Sequence, residues 1–210
     1  CYTMNIEPSS PHYSRLGQPC HHSTLGFRWQ GRPLKGKTMS KKVILSIDPS
    51  LTATGLALWE AEDWRYNKKS LIHYECYKTD KSESEGERLD CLTGNIRQLI
   101  REYMVDCVVY EKAAAFNYAG RGQKGNHKYR NAVSHVERAC VDMLERENVY
   151  SVTAPTWKGS GKKKDTILIV NSEFGLDLKK KDNDIADAIQ IGMWFIERMR
   201  CNPIDCNFAG

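Results

Sequence analysis

The sequence contains no long hydrophobic run. None of its 210 residues lies in an uncharged apolar stretch of the roughly 18 residues or more that a membrane-spanning helix requires, and the mean hydropathy is −0.58. Glycine and proline are also scarce, at 15 and 7 residues, which excludes collagen-like and low-complexity chains. No internal repeat is present. With 40% apolar and 27% charged residues, the sequence predicts a globular domain large enough to bury one core.

Cysteine is present, but the spacing that marks a disulfide framework or a zinc finger is absent. No CxxC pair occurs among the eight cysteines, and Cys107 and Cys140 lie inside apolar stretches, where a thiol packs as a small hydrophobic group. Cys20-His21-His22 offers metal-ligand residue types without a second ligand cluster at finger-like spacing. These features favour a reducing cytoplasmic location over a disulfide scaffold.

Residues 1–38 differ from the rest of the chain. They contain four prolines and no helical or alternating apolar period, so we expect a flexible tail or leader. The segment carries five basic residues and one acid, Glu7, so most of the net charge of +5 comes from it. Its basic, acid-poor composition leaves mitochondrial import open. Met39 directly precedes the first strand signal, and we expect a domain over residues 39–200 followed by a short tail, 201–210.

Hydrophobic periodicity predicts an α/β domain. β-Branched runs indicate three strands in succession, and apolar residues spaced by three and four then indicate helices that alternate with two more strands. The predicted strands cover 43–48, 55–59, 71–79, 107–110 and 149–153, and the predicted helices cover 85–104, 127–147, 164–174 and 184–199, with a loop over 113–125. Three antiparallel strands followed by alternating strands and helices favour a mixed sheet with helices on its faces.

Four acidic residues stand where the predicted elements converge. Asp48 ends the first strand and Glu111 ends the fourth, and α/β sheets place ligand chemistry at the carboxyl ends of their strands. Asp184 and Asp187 lie one turn apart on the last helix. Each acid has a structural alternative, because acids commonly end strands and Asp184 suits the first turn of a helix. Asp187, however, lies on the stripe expected to meet the sheet, where a carboxylate needs a paired base or a metal ion.

Carboxylates gathered without matching bases form the oxygen-rich kind of site that Mg²⁺ uses together with waters and phosphate oxygens. Two such ions in one site activate a water and stabilise the leaving oxygen in phosphodiester cleavage. We therefore expect a Mg²⁺-dependent phosphodiester hydrolase with two ions per site, for which Mn²⁺ can substitute.

Four sequence motifs resemble those of the RuvC Holliday-junction resolvases. IDPSLTATGLAL (47–58) is similar to that family's first motif, an Asp-Pro turn followed by a Thr-Gly hairpin. VVYEK (108–112) resembles its glutamate-bearing strand, and APTWKGSGKKKDTI (154–167) resembles its basic Gly-x-Gly segment. DIADAIQIG (184–192) resembles its terminal helix. The motifs occur in the family's order and span nearly all of the predicted domain.

The resemblance implies a ribonuclease H-like fold, which agrees with the order of elements, and it implies branched DNA, above all the four-way junction, as the substrate. It further implies that Asp48, Glu111, Asp184 and Asp187 are the catalytic metal ligands, with Asp184 at the position that varies most in the family. No membrane partner is expected.

Positive charge in the domain clusters beside the predicted acids, over residues 112–130, 158–164 and 179–181. Basic side chains next to a metal site are typical of a surface that follows a phosphate backbone, although a basic run taken alone is usually a solvated face. Tyr129 and Trp157 are further aromatic candidates for stacking on unpaired bases or for the core. The predicted nucleic-acid contacts are Lys112, Phe116, Tyr118, Arg121, Lys124, Lys128, Arg130, Lys158, Lys162, Lys163 and Lys164.

Family members often carry a bulky side chain shortly after the glutamate, and it wedges into the junction. Here alanines occupy 113–115 and precede Phe116. Phe116 and Tyr118 are therefore the candidates for the wedge in this chain.

Other functions stay open on the sequence alone. A nuclease of the same fold could act on RNA or on RNA–DNA hybrids, and a catalytically inactive relative could bind junctions without cutting them. An actin-like ATP-binding module also opens with a strand, an acidic turn and a hairpin, but it needs a second related domain for which this chain is too short.

The helix predicted over 127–147 carries a broad apolar stripe, wide enough to cover both the sheet and a partner. A substrate with two-fold symmetry needs two symmetry-related cuts, which a C₂ pair supplies, and the resemblance implies the same arrangement. We therefore expect a homodimer joined through this helix, the alternative being that packing on the sheet uses the whole stripe. The stripe consists of Ala132, Val133, Val136, Ala139, Cys140, Met143 and Leu144.

Overall fold

The structure is a computed structural model, and the described residues are 41–112, 123–158 and 163–201. The predicted tails, 1–38 and 201–210, lie outside this part of the chain apart from Cys201.

Within the described residues, five strands form one mixed sheet, as the order of elements predicts. The strands are β1 (Lys41–Asp48), β2 (Ala53–Glu62), β3 (Leu71–Lys78), β4 (Cys107–Lys112) and β5 (Val149–Thr153). Their order in the sheet is β3-β2-β1-β4-β5. β1 pairs antiparallel with β2, and β2 with β3, whereas β4 runs parallel to both β1 and β5.

Helices cover both faces of this sheet. The helices are α1 (Glu85–Glu102), α2 (Gln123–Val141), α3 (Ala154–Lys158), α4 (Lys163–Phe174) and α5 (Asn183–Cys201), with 3₁₀ turns at Arg146–Asn148 and Lys180–Asp182. One core lies between the sheet and α1 and α2, and a second lies between the sheet and α3, α4 and α5. The central strand β1 is buried on both faces, which explains its continuous apolar run. Among the described residues, no helix has the length and hydropathy that a membrane crossing requires.

Side-chain alternation along the strands decides which face each strand residue meets. Leu45 and Ile47 of β1 pack in the core of α1 and α2, whereas Ile44 packs in the core of α5. Val109 of β4 also belongs to the α5 core. The same alternation places Asp48, at the end of β1, and Glu111, near the end of β4, on the α5 face as well.

The backbone of α5 approaches the sheet closely through two glycines. A Cβ atom at Gly55 of β2 would lie 1.9 Å from the carbonyl oxygen of Asp184, and a Cβ atom at Gly192 of α5 would lie 2.1 Å from Nε1 of Trp59. No Cβ atom fits at either contact. The backbone of α5 therefore lies directly against β2, on the backbone of Gly55 and on the ring of Trp59.

The apolar stripe of α2 belongs largely to the core. Ala132, Val136 and Ala139 have no exposed surface and pack with residues of α1 and the sheet, whereas Met143 and Leu144 stay half-buried. A glutamate at Val136 would therefore disrupt the core whether or not the protein forms a dimer. Dimer formation through α2 stays a prediction.

The bounds of α2 differ most from the sequence prediction. The α2 helix begins at Gln123, inside the predicted loop 113–125, and ends at Val141 rather than near 147. In the turn that follows, the N–H groups of Met143 and Leu144 both donate to the carbonyl oxygen of Cys140, at 3.1 and 2.9 Å. The short helix α3 was not predicted.

Candidate active site

The parallel pairing of β1 and β4 brings the first two acids together. Ile47 lies opposite Tyr110 in the register of these strands. The residues that follow, Asp48 and Glu111, therefore lie side by side on neighbouring strands, at the edge of the sheet where both strands end. Both belong to the set of alternate positions that faces α5.

The start of α5 brings the other two acids to this edge. Asp48 pairs with Gly55 across β1 and β2, and Gly55 in turn lies against the carbonyl of Asp184. Asp187 lies one turn further along α5 and is only 5% exposed. The close seating of the helix thus explains why acids far apart in sequence meet at one edge.

Burial and the nearby carboxylates together raise the pKa of two neighbouring side chains, Tyr129 and Cys76. Burial raises the pKa of the Tyr129 hydroxyl, and the carboxylates of Glu111 and Asp48 raise it further. On the other side of the site, burial raises the pKa of the Cys76 thiol, and Asp184 adds to that effect, with a smaller contribution from Asp48. The field of Asp48 therefore reaches side chains beside both Glu111 and Asp184.

Glu111 is held by two hydrogen-bond donors. The indole Nε1 of Trp157 donates to its Oε2 at 2.9 Å, and the hydroxyl of Tyr129 donates to its Oε1 at 3.4 Å. Burial raises the pKa of Glu111, the Trp157 hydrogen bond opposes that rise, and the nearby Asp187 adds to it.

Asp187 is held by an ion pair that is almost fully buried. Nζ of Lys158 lies 2.9 Å from its Oδ1, and the two side chains are 13% and 7% exposed. The side-chain amide of Asn183 donates to its Oδ2 at 3.2 Å. Lys158 is thus the paired base that a buried carboxylate requires in the absence of a metal ion.

The chemistry of the donor set fits a hard divalent cation. All four acids supply carboxylate oxygens, and the ammonium of Lys158 shows that Asp187 accepts a positive charge at this place. Within the described residues, no three acidic, histidine or cysteine side chains are close enough together to form a complete cation site as they stand.

The predicted nucleic-acid contacts have different surroundings. Lys128 and Arg130 are exposed on α2, and Lys112 is half-buried at the end of β4, whereas Lys158 is committed to Asp187. Lys124 lies in the first turn of α2, and Lys163 and Lys164 begin α4. Phe116, Tyr118, Arg121 and Lys162 lie outside the described residues.

Sequence reasoning did not identify the side chains that hold the acids. Trp157 and Tyr129 were candidates for base stacking or the core; both contact Glu111, and Trp157 also lies in the core. Asn183, the first residue of α5, contacts Asp187. One signal in the sequence pointed this way, since a lysine directly follows a tryptophan just before the Gly-x-Gly segment.

Comparison with known families identifies the relatives of this chain. The family model of the crossover junction endodeoxyribonuclease RuvC matches residues 44–194, a range that runs from within β1 to within α5 and includes all four acids. The chain belongs to this family. The resemblance seen in the four motifs is thereby confirmed, and the RuvC family is one of metal-dependent nucleases.

Named relatives match over the same region. The RuvC crossover junction endodeoxyribonuclease of Prochlorococcus marinus is 28% identical over 152 residues, which cover 72% of this chain and 96% of the relative. That of Synechococcus sp. strain RCC307 is 26% identical over 155 residues, which cover 72% of this chain and 98% of the relative.

Solved structures confirm the ribonuclease H-like fold. The structure of T. thermophilus RuvC in complex with a Holliday junction substrate superposes with a TM-score of 0.60 at 23% identity and covers 75% of this chain and 96% of that one. A second T. thermophilus RuvC structure gives a TM-score of 0.56 at 22% identity over 75% and 96% of the two chains.

Proposed function

We propose that this chain is a structure-selective endodeoxyribonuclease that cleaves Holliday junctions. The observation that carries the proposal is the convergence of Asp48, Glu111, Asp184 and Asp187 at one sheet edge in a chain that matches the RuvC family over 44–194. The RuvC relatives are named as crossover junction endodeoxyribonucleases, and one solved relative holds a Holliday junction.

The cofactor proposed is Mg²⁺, with two ions per site and with Mn²⁺ as a substitute. Asp48, Glu111 and Asp187 would hold the ions, and Asp184, which is half-buried at the start of α5, would contribute directly or through water. When bound, such ions lower the pKa of a water and stabilise the leaving oxygen of a phosphodiester.

The chain's own residues prepare the site for this chemistry. Trp157 and Tyr129 hold Glu111, and Lys158 balances the charge of Asp187. Basic residues such as Lys128 and Arg130, which are exposed on α2, would contact the phosphate backbone. The wedge role of Phe116 or Tyr118 is part of the same proposal.

The decisive experiment offers the protein four labelled substrates: a four-way junction, a flap, a linear duplex and an RNA–DNA hybrid. We expect paired cuts in the junction with Mg²⁺ and none with EDTA. Preferred cutting of the hybrid would favour the ribonuclease alternative, and junction binding without cutting by the wild type would favour the inactive alternative.

We also propose that the active form is a homodimer joined along α2, because two symmetry-related cuts need two sites. Val133, Met143 and Leu144 are the stripe residues that keep some exposure. Light scattering is expected to give twice the chain mass, and Met143→Glu is expected to give a folded monomer that nicks junctions without resolving them. A monomeric wild type that makes paired cuts would exclude the dimer.

A bacterial cytoplasm is the proposed setting, since the relatives named above are bacterial RuvC proteins.

A further inference from the structure

The five-residue helix α3 contacts two acids that lie on different elements. Its last two residues, Trp157 and Lys158, bind Glu111 of β4 and Asp187 of α5 respectively. The ammonium of Lys158 also lies 4.9 Å from the centroid of the Trp157 ring. Adjacent residues of one short helix therefore link the two carboxylates.

The path of the chain brings α3 to this place. β5 pairs with β4 so that Val152 lies opposite Glu111 and Thr153 lies opposite Lys112. α3 begins at the next residue, Ala154, and Trp157 follows one turn later. The indole is 6% exposed and belongs to the core between the sheet and α5, so its orientation is fixed by packing.

We propose that Trp157 is a positioning residue, whose indole N–H fixes the orientation of the Glu111 carboxylate for metal binding. The inference rests on the proposed function only in taking Glu111 as a metal ligand. Donors that hydrogen-bond to a metal ligand orient that ligand, and their loss commonly lowers metal affinity by about 10- to 100-fold.

The chemistry of indole suits this role better than that of the neighbouring groups. Indole is a donor only and carries no charge, so it holds Oε2 of Glu111 at 2.9 Å without neutralising the carboxylate. The ammonium of Lys158, by contrast, neutralises Asp187. The hydroxyl of Tyr129 lies further from Glu111, at 3.4 Å from Oε1, and thus constrains it less.

The test compares two tryptophan variants of the full chain. Trp157→Phe keeps an aromatic ring and removes the N–H donor. Trp64→Phe is the control, because it makes the same substitution at a ring that packs on Phe195, with 5.9 Å between the ring centroids, about two turns of α5 beyond Asp187. Calorimetric titration with Mn²⁺ is expected to show about tenfold weaker binding for Trp157→Phe and unchanged binding for Trp64→Phe. Equal Mn²⁺ affinity in the wild type and Trp157→Phe would overturn the inference.

A double-mutant cycle separates positioning from general destabilisation. In a Glu111→Gln background the residual Mn²⁺ affinity is expected to be the same with and without Trp157→Phe, because the carboxylate that the indole positions is gone. A further tenfold loss in that background would assign Trp157 a merely structural role.

A measurement that needs no Trp157 variant covers the case in which Trp157→Phe does not fold. With ¹⁵N-labelled tryptophan, one indole N–H resonance is expected to move upfield in Glu111→Gln, where a neutral acceptor replaces a charged one. The same resonance should shift when Mg²⁺ is added to the wild type. The absence of any indole shift on Mg²⁺ addition, with Mg²⁺ binding shown by calorimetry, would overturn the inference.

These outcomes are distinct from those of the proposed function. A wild type that cuts junctions while Trp157→Phe keeps the same Mn²⁺ affinity removes the positioning role and leaves the function standing. A wild type that binds Mn²⁺ more tightly than Trp157→Phe does, yet cuts no DNA, removes the function and leaves the positioning role.

Discussion

The two faces of the sheet are built in different ways. The face covered by α1 and α2 is packed mainly by aliphatic side chains, and its ion pairs are open to solvent, as in Arg97–Asp142, where the two side chains are 34% and 31% exposed. The face covered by α3, α4 and α5 holds a buried ion pair, edge-to-face aromatic contacts around Trp59, and two places where backbone meets backbone or ring without room for a Cβ atom.

The two faces therefore differ in how well they accept substitutions. Aliphatic side chains can be exchanged for others of the same volume at modest cost in stability, whereas the glycine contacts allow α5 to pack on the sheet in only one position. The four acids all lie at the edge of the α5 face. The following predictions test whether this contrast governs stability and activity.

The largest expected effect is the loss of cleavage when an acid on the α5 face is neutralised. Asp48→Asn, Glu111→Gln and Asp187→Asn are each expected to slow junction cleavage at least about a thousandfold, because each removes a carboxylate that is proposed to hold the metal ions. Junction binding should be retained or tightened, since repulsion of phosphate is relieved. Asp142→Asn, an acid on the other face, is the control and should cut normally. Near-wild-type cutting by all three variants with Mg²⁺ would show that the roles assigned to these acids are wrong.

The next effect concerns the two kinds of ion pair. Lys158→Met leaves Asp187 buried without its base and is expected to lower the free energy of unfolding by about 3 to 5 kcal/mol. Arg97→Met breaks an exposed pair with Asp142 and should cost less than about 1 kcal/mol. Urea denaturation without metal measures both, and similar losses for the two variants would contradict the contrast between the faces.

A smaller effect, of opposite sign on the two faces, is expected at glycines. Gly55→Ala forces its Cβ atom against the backbone of Asp184 and should cost about 1 to 3 kcal/mol. Gly94→Ala, on α1, meets nothing within 4 Å and should stabilise the protein by up to about 1 kcal/mol through helix propensity. Thermal unfolding distinguishes them, and a stabilised Gly55→Ala would mean that α5 is not held by this contact.

The smallest effect is a pH-dependent difference in stability without metal. Burial, together with Asp187, raises the folded-state pKa of Glu111 above its usual 4.5, against the opposing hydrogen bond of Trp157, the charge of Lys158 and the hydrogen bond of Tyr129. The folded protein therefore holds this proton more tightly than the unfolded chain, and the stabilisation is lost as pH rises through the folded pKa.

Glu111→Gln carries no such proton. With EDTA present, its melting temperature is expected to gain on that of the wild type as the pH is raised from below 4.5 to neutrality. A difference in melting temperature that stays constant over this range would contradict the shift in the pKa of Glu111.

Most of the fold could be predicted because its signals are local. The apolar run ending at Asp48 and the spacing of α1, from Leu89 to Ile100, each lie within one element and depend on no distant contact. In the structure, α1 begins at a capping box formed by Ser84 and Glu87. The end of α2 was harder to predict, because the apolar spacing continues to Met143 and Leu144 whereas the helix stops at Val141.

The acids could be predicted but their partners could not. Asp48 and Glu111 end strands, and Asp187 lies on a helix stripe, so their positions follow from periodicity. The roles of Trp157 and Lys158 depend instead on a five-residue helix, which is too short to show a period, and on where β5 lies beside β4. The close contact at Gly55 likewise exists only once α5 has packed on β2.

The packing of α5 on β1 and β2 also has a consequence for protein synthesis. Asp48 and Glu111 are translated well before Asp187. α5 contacts β1 and β2, which are made early, as well as α4, which is made just before it. A nascent chain on the ribosome can pair β1 with β4 but cannot bring all four acids to the same edge of the sheet until α5 has emerged and packed onto Gly55. Partly synthesised chains therefore lack an assembled site, and any nuclease activity begins only after translation has passed this last helix.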